Sequence, residues 1–142
     1  MNRARVLLAD DHPAVCDLVA ALLKLDFDIV GTVANGQDLL GEADRLRPDV
    51  IVTDISMPVI DGIEAAEQLC ARQSPAKVIF LTIHDRVEFV RAGLAAGAMG
   101  YVTKSRLTTD LVLAIRAVLA GGRFISPTLH FPDEPERSEK TA

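Results

Sequence analysis

The sequence contains few of the residues that several protein classes need. Its two cysteines, Cys16 and Cys70, are too few for a disulfide framework. Each lies in an apolar pattern with helical spacing, which favours small buried thiols in a reducing compartment. Basic residues are also scarce, with 15 Lys+Arg against 20 Asp+Glu and a net charge of −5. A nucleic-acid groove needs clustered basic residues, so any contact with DNA is expected to involve something missing from this chain.

Long hydrophobic runs are missing as well. The first apolar stretch, Val6–Ala9, stops at Asp10, which is too short for a signal peptide. The longest uncharged segment, Ala92–Thr103, contains three glycines and falls well short of the roughly 20 residues that cross a bilayer. The sequence therefore predicts a soluble, cytoplasmic protein with no membrane partner.

What the sequence does contain is an alternation of strand and helix patterns. Short β-rich runs occur at Val6–Ala9, Ile29–Ala34, Val50–Thr53, Val78–Leu81 and Gly100–Thr103. The segments between them have apolar residues at helical spacing. Parallel strands need crossover helices, so this order predicts an α/β fold: a doubly wound, five-stranded parallel sheet with five helices on its two faces.

Local chemistry marks several helix ends. Pro13 suits a first helical position, and Asp61 with Glu64 has the spacing of a capping box. Thr108 or Thr109 is expected to cap the last helix, with Asp110 in its first turn facing the positive end of the helix dipole.

Composition changes after Ser126 and suggests a domain boundary. Three prolines alternate with four carboxylates between residues 127 and 142, and almost nothing apolar follows Phe131. Such a composition is typical of a disordered tail or of the start of a linker. We therefore expect one folded domain over residues 1–126, followed by an acidic, proline-containing tail over residues 127–142.

Polar side chains follow the predicted strands where each strand ends. They are Asp10, Asp11, Asp54, Thr82 and Lys104. Ligands of parallel α/β sheets bind beyond the carboxyl ends of the strands, so these side chains are expected to meet. Crowded carboxylates need a proton or a cation, and an all-oxygen ligand set favours Mg²⁺. A carboxylate beside Mg²⁺ can attack phosphorus and form an acyl phosphate, whose oxygens would be bound by Lys104 and Thr82.

The ordered set of motifs resembles the receiver domain of two-component response regulators over roughly residues 4–125. The matching features are Asp10-Asp11, Asp54 followed by Met57-Pro58 and Asp61-Gly62, Thr82, and Tyr101 before Lys104. The runs Ala9–Pro13, Gly97–Tyr101 and Ala120–Arg123 are most similar to the subfamily whose receivers precede a helix-turn-helix DNA-binding domain. The resemblance implies a flavodoxin-like strand order of 2-1-3-4-5.

The resemblance also implies roles for individual residues. Asp54 would accept the phosphoryl group, assisted by Lys104 and Thr82. Asp11, Asp54 and the backbone carbonyl of Ser56 would bind Mg²⁺ directly, and Asp10 mainly through water. Thr82 and Tyr101 would form a coupled switch. His12, in contrast, is expected to be a helix cap or a partner-facing residue and not a ligand.

Partners follow from the same resemblance. A phosphohistidine of a sensor kinase would donate the phosphoryl group, and DNA would be reached only through an output domain absent from this chain. A homodimer is expected through the surface of the fourth helix, fifth strand and fifth helix. The chain would catalyse only its own phosphoryl acceptance and autodephosphorylation, so it is not a conventional enzyme.

Two alternatives remain open on the residues alone. One is a receiver-like protein-interaction module that works without phosphorylation, although no acidic-site residue is lost here. The other is a phosphatase with an aspartate nucleophile, but such enzymes usually resemble Asp-x-Asp, and this chain has Asp54-Ile55-Ser56. A flavodoxin-type cofactor site is disfavoured because Asp10-Asp11 would repel an anionic cofactor.

Overall fold

A computed structural model describes residues 3–83 and 87–126, and the side chains of these residues except 87–89. The helices are α1 (Pro13–Leu23), α2 (Gly36–Leu46), α3 (Gly62–Ala71), α4 (Val87–Ala95) and α5 (Leu107–Leu119). The strands are β1 (Arg5–Ala9), β2 (Asp28–Val33), β3 (Val50–Thr53), β4 (Lys77–Thr82), β5 (Gly100–Thr103) and β6 (Phe124–Ile125). A short 3₁₀ turn, Lys104–Arg106, separates β5 from α5. The predicted tail over residues 127–142 lies outside the described residues.

The strands form one parallel sheet in the order β2-β1-β3-β4-β5-β6. This confirms the predicted α/β architecture and the order of its first five strands. The prediction of only five strands was wrong by one, because β6 pairs alongside Gly100 and Tyr101 of β5. Two residues between a glycine pair and a proline are too few to show strand periodicity, so the sequence pattern missed β6.

The two faces of the sheet carry separate apolar cores, as a doubly wound fold requires. One core combines alternate strand residues, such as Leu7 and Ile51, with the buried sides of α2, α3 and α4. The other combines the intervening strand residues, such as Val6 and Leu8, with α1 and α5. Residues of β1, β3, β4 and β5 are buried on both faces because helices cover both. This packing holds the strand ends that carry the predicted site.

Two of the predicted helix starts are confirmed and one is wrong. Pro13 begins α1, and the Asp61 carboxylate caps α3 by accepting a 2.8 Å hydrogen bond from the Glu64 amide. Helix α5, however, begins at Leu107, so Thr108 and Thr109 lie inside it and do not cap it. The reason is the 3₁₀ turn, which leads the chain directly into the helix.

Candidate functional site

The register of β1 and β3 brings the central carboxylates together. Ala9 pairs with Thr53, so Asp10 and Asp54 follow at neighbouring strand ends. The Asp54 amide donates to the Ala9 carbonyl over 2.9 Å, which extends the ladder to the first site residue. Asp10 and Asp54 are 2% and 4% exposed, so both carboxylates lie where charge is expensive without a partner.

Lys104 directly follows β5, on the far side of β4 from Asp54, and its side chain extends to these carboxylates. Its Nζ lies 3.0 Å from Asp10 Oδ2 and 3.2 Å from Asp54 Oδ2. The side chain of Lys104 is only 13% exposed, so both ion pairs are largely shielded from water. The structure thus brings together three of the residues that the sequence predicted for the site.

Asp11 is the most exposed of the clustered aspartates, and a histidine lies beside it. His12 Nδ1 is 2.9 Å from Asp10 Oδ1, 3.2 Å from Asp11 Oδ1 and 3.8 Å from Asp54 Oδ2. A ring nitrogen therefore lies among the carboxylates, while the all-oxygen ligand set for Mg²⁺ stays a prediction. His12 does occupy the N-cap position of α1, but its side chain makes no capping hydrogen bond. The adjacency of His12 to Asp11 in sequence was the available signal.

Burial and charge act in opposite directions on the pKa values of the central pair. Burial raises the pKa of Asp54, and the Asp10 carboxylate adds to this effect, while Lys104 opposes it. Burial alone would lower the pKa of Lys104, but hydrogen bonds and charge from Asp10 and Asp54 outweigh it and raise that pKa. Lys104 therefore stays an ammonium, and Asp54 becomes a more basic carboxylate than an exposed aspartate.

Thr82 and Tyr101 lie on the neighbouring strands β4 and β5. Thr82 ends β4 and pairs with Thr103, the residue before Lys104. Tyr101 is fully buried, and its ring packs edge-on against Phe80 with centroids 6.0 Å apart. A Cβ at Gly93 of α4 would come within 2.7 Å of the Phe80 ring and 3.4 Å of the Tyr101 ring. Helix α4 therefore approaches this aromatic pair closely because residue 93 is glycine.

The loop from Asp54 to α3 holds the central carboxylate in place. Asp54 Oδ1 accepts a 2.7 Å hydrogen bond from the Ile55 amide, and the Gly62 amide donates to the Ile55 carbonyl over 2.7 Å. A Cβ at Gly62 would lie 2.1 Å from the Asp54 carbonyl oxygen, so only glycine permits this approach. Val59, in the same loop, has a positive φ of 72°, which is rare for a β-branched residue. Ser56 is exposed in this loop, and its carbonyl as a metal ligand stays a prediction.

The ordered set of aspartates, threonine and lysine at one sheet edge has counterparts in known proteins. Residues 6–116 match the response regulator receiver domain family. The chain belongs to this family. Within the described residues, no helix of this receiver is long and apolar enough to cross a membrane.

Curated relatives of the receiver are regulators of greater length. It is 38% identical over 127 residues to the response regulator GacA of Pseudomonas aeruginosa, covering 88% of this chain and 59% of that protein. It is 33% identical over 128 residues to the transcriptional regulatory protein DegU of Brevibacillus brevis, covering 89% of this chain and 54% of that protein. The receiver thus spans little more than half the length of these relatives.

Solved structures share the fold throughout the receiver. A two-component response regulator of the LuxR family from Aurantimonas superposes with a TM-score of 0.87 at 31% identity, covering 99% of this chain and all of that one. The isolated receiver domain of RcsB from Salmonella enterica, with the phosphomimetic beryllofluoride, gives a TM-score of 0.83 at 28% identity, covering 90% and 96% of the two chains. These likenesses support the resemblance seen in the sequence.

The acidic cluster of the receiver has the composition of a divalent-cation site. One ligand atom each from Asp10, Asp11, His12 and Asp54 lies within 4.8 Å of all the others. Asp10 Oδ2 is buried, and its partner among the described residues is the Lys104 ammonium, 3.0 Å away. Three carboxylates face one ammonium here, so a divalent cation would balance the remaining charge. These residues fit Mg²⁺.

Proposed function

We propose that this receiver accepts a phosphoryl group on Asp54 from a phosphohistidine of a sensor kinase. The observation that carries the proposal is the position of Asp54: its carboxylate is buried at a strand end, 3.2 Å from the Lys104 ammonium. Membership of the receiver family supplies the class of reaction. Asp54 is the carboxylate that both the Ile55 amide and Lys104 hold in place.

Asp54 acts as the nucleophile. A carboxylate oxygen forms a new P–O bond as the P–N bond of the phosphohistidine breaks, and the bonding electron pair returns to the imidazole of the kinase. The Ile55 hydrogen bond to Oδ1 fixes the orientation of the carboxylate before the attack. The raised pKa of Asp54, caused chiefly by burial, makes the ionised carboxylate a better nucleophile than an exposed one.

Lys104 and Thr82 bind the incoming group. The transferred phosphoryl carries negative charge on its oxygens, and an ammonium already placed 3.2 Å from Asp54 Oδ2 stabilises that charge. Thr82 ends the strand next to β5, so its hydroxyl is suited to donate a hydrogen bond to the phosphoryl group. Tyr101 would respond to movement of Thr82 and change the surface formed by α4, β5 and α5.

Asp10, Asp11, Asp54 and the Ser56 carbonyl would hold Mg²⁺, with Asp10 acting mainly through water. When bound, the ion supplies positive charge that brings the anionic phosphoryl donor and the carboxylates together. The chain's own contribution is to keep Asp10 and Asp54 at adjacent strand ends.

The output of the switch lies outside these residues. The relatives GacA and DegU are named as a response regulator and a transcriptional regulatory protein, and the receiver covers 59% and 54% of their lengths. We propose control of transcription in the cytoplasm through a DNA-binding output domain, with residues 127–142 as the start of a linker. Phosphorylation would favour a homodimer through α4, β5 and α5, because Tyr101 lies on β5 three residues before Lys104 and α4 approaches its ring at Gly93.

Acetyl phosphate with Mg²⁺ tests the assignment, read by the mass of the intact protein. We expect one phosphoryl group on the wild type and on Glu67→Gln, a control that removes an exposed carboxylate of α3. Asp54→Asn should gain none. Equal labelling of Asp54→Asn would overturn Asp54 as the acceptor, and an unlabelled wild type would overturn phosphoryl acceptance itself. Multiple turnovers on phosphate esters would indicate a phosphatase instead.

A further inference from the structure

A buried carboxylate that the phosphoryl chemistry does not use lies in the first turn of α5. Asp110 is 2% exposed. Its Oδ2 accepts hydrogen bonds of 2.8 Å from both Arg106 Nε and Ser126 Oγ, and its Oδ1 accepts one of 3.2 Å from Arg106 Nη2. A carboxylate facing outward would satisfy the helix dipole equally well. Its burial with three donors therefore calls for another explanation.

Ser126 connects this carboxylate to β5. It is 1% exposed, and its Oγ accepts a 3.2 Å hydrogen bond from the Thr103 amide. The Ser126 amide in turn donates to the Tyr101 carbonyl over 2.9 Å. One side chain and one backbone group of Ser126 thus hold two residues of β5, while the same hydroxyl donates to Asp110.

The residues held in this way flank Lys104. Thr103, directly before Lys104, is bound by Ser126, and Arg106, two residues after it, is bound in a bidentate manner by Asp110. The hydrogen bond between Ser126 and Asp110 closes the loop. Lys104 itself opens the 3₁₀ turn between these anchors and extends its side chain to Asp54.

We propose that Asp110 and Ser126 are positioning residues that hold the backbone of Lys104, so that its ammonium meets the phosphoryl group on Asp54. The inference rests on the proposed function. Neither residue touches the acidic cluster in the contacts described above, so both act through Lys104. The bidentate pair and the further hydroxyl donor resist rotation of the turn, because rotation would remove donors from a buried carboxylate.

Labelling rates and Mg²⁺ affinities together distinguish a positioning role of Asp110 and Ser126 from a role in overall stability. Ser126→Ala and Asp110→Asn should each slow labelling by acetyl phosphate about tenfold, because small misplacements of a charge-stabilising group are costly. Both should bind Mg²⁺ within about twofold of the wild type, since the carboxylates remain in place and binding free energy changes little. Ser105→Ala is the matched control, because it removes an exposed hydroxyl next to Lys104 whose partner among the described residues is Thr103 Oγ1, 3.3 Å away.

A double-mutant cycle decides whether Lys104 transmits the effect. In a Lys104→Met background, Ser126→Ala should slow labelling no further, since residues that act through one group are not additive. A tenfold loss that persists in this background would overturn the proposal, as would an equal loss of Mg²⁺ affinity. If Ser126→Ala or Asp110→Asn does not fold, Arg106→Gln provides the same cycle from a more exposed position. An unlabelled wild type would instead reject the proposed function.

Discussion

Lys104 Nζ lies 3.2 Å from Asp54 Oδ2, a contact that joins residues fifty positions apart in the chain. The pair forms because β3 and β5 flank β4 in the same parallel sheet, so their carboxyl ends share an edge. Since the ammonium also reaches Asp10, a single cation stabilises two buried carboxylates. Burial disfavours the ionised form of Asp54, and the charge of Lys104 favours it. A change of pH or a substitution at either residue therefore changes the stability of the protein.

Replacing Asp54 should stabilise the metal-free protein at neutral pH. Burial raises the pKa of Asp54 above its ordinary value of 3.8, so the ionised carboxylate favours the unfolded state once the pH exceeds the folded pKa. Asp54→Asn should therefore have a higher urea midpoint than the wild type at pH 7.5 in EDTA. The difference between the two urea midpoints should shrink as the pH falls through the raised pKa towards 3.8, because the carboxyl of the folded wild type becomes protonated in this range.

Glu67→Gln is the control for this pH dependence, since it removes the same charge from an exposed position on α3. Its midpoint should follow that of the wild type at each pH. A stability gain in Asp54→Asn that stayed constant down to pH 4 would contradict the role of Asp54 ionisation.

Gly62 should be intolerant of a side chain. A Cβ there would lie 2.1 Å from the Asp54 carbonyl oxygen, which is backbone and has no rotamer with which to yield. We expect Gly62→Ala to lower the free energy of unfolding by about 3 kcal/mol, as overpacking of a rigid site does, and to slow labelling of Asp54. Urea unfolding and acetyl phosphate labelling measure the two effects.

Gly41→Ala provides the opposite expectation with the same chemical change. A Cβ at Gly41 meets nothing within 4 Å, and the residue lies in the interior of α2. Alanine should therefore stabilise the protein by about 0.5–1 kcal/mol through helix propensity. Equal changes in the free energy of unfolding for the two substitutions would show that the close approach at Gly62 does not destabilise the alanine variant.

Val59 should gain stability from a residue that accepts a left-handed backbone. Its φ of 72° is strained for a β-branched side chain, and the side chain is 72% exposed, so little packing compensates. We expect Val59→Asn to raise the free energy of unfolding by about 1 kcal/mol, the lower end of the cost of such strain. Val59→Ile should give no gain in the same urea titration, because it keeps the β-branch. An equal gain in the free energy of unfolding for both variants would contradict the interpretation that the backbone at Val59 is strained.

His12 should compete with Mg²⁺ for the carboxylates. Its Nδ1 lies within hydrogen-bonding distance of Asp10 Oδ1 and Asp11 Oδ1, oxygens that would otherwise face the ion. We expect His12→Ala to tighten Mg²⁺ binding by about threefold, or about 0.7 kcal/mol, a low value for one hydrogen bond because the imidazole is 61% exposed. Calorimetric titration into EDTA-treated protein measures this change, and weaker binding would indicate that His12 is itself a ligand.

The sequence predicted the centre of the site well because its signal is local. Apolar strands that end in Asp10, Asp54, Thr82 or Lys104 can be recognised one at a time, and parallel topology then brings them to one edge. The contacts that depend on side-chain direction were harder to predict. The sequence is equally compatible with a His12 side chain that points into solvent. In the structure, its Nδ1 lies within 3.8 Å of oxygens of three carboxylates.

The start of α5 shows a second limit. The pattern Thr108-Thr109-Asp110 offered ordinary capping chemistry, and Asp110 does lie in the first turn of the helix. Its burial depends on Arg106 and on Ser126, sixteen residues further along the chain. Ser126 is brought close by β6, a strand of two residues. Long-range contacts made by such short elements leave no periodicity in the sequence.

The direction of β6 decides at which edge of the sheet the described chain ends. Because β6 runs parallel to β5, the backbone arrives at Ser126 on the edge that carries Lys104 and Asp54, and not on the opposite edge. Ser126 is thus one hydrogen bond away from Thr103, the residue that directly precedes Lys104. In the proposed function, a movement of the Lys104 backbone would therefore reach residue 126 along this edge, without rearrangement of either apolar core.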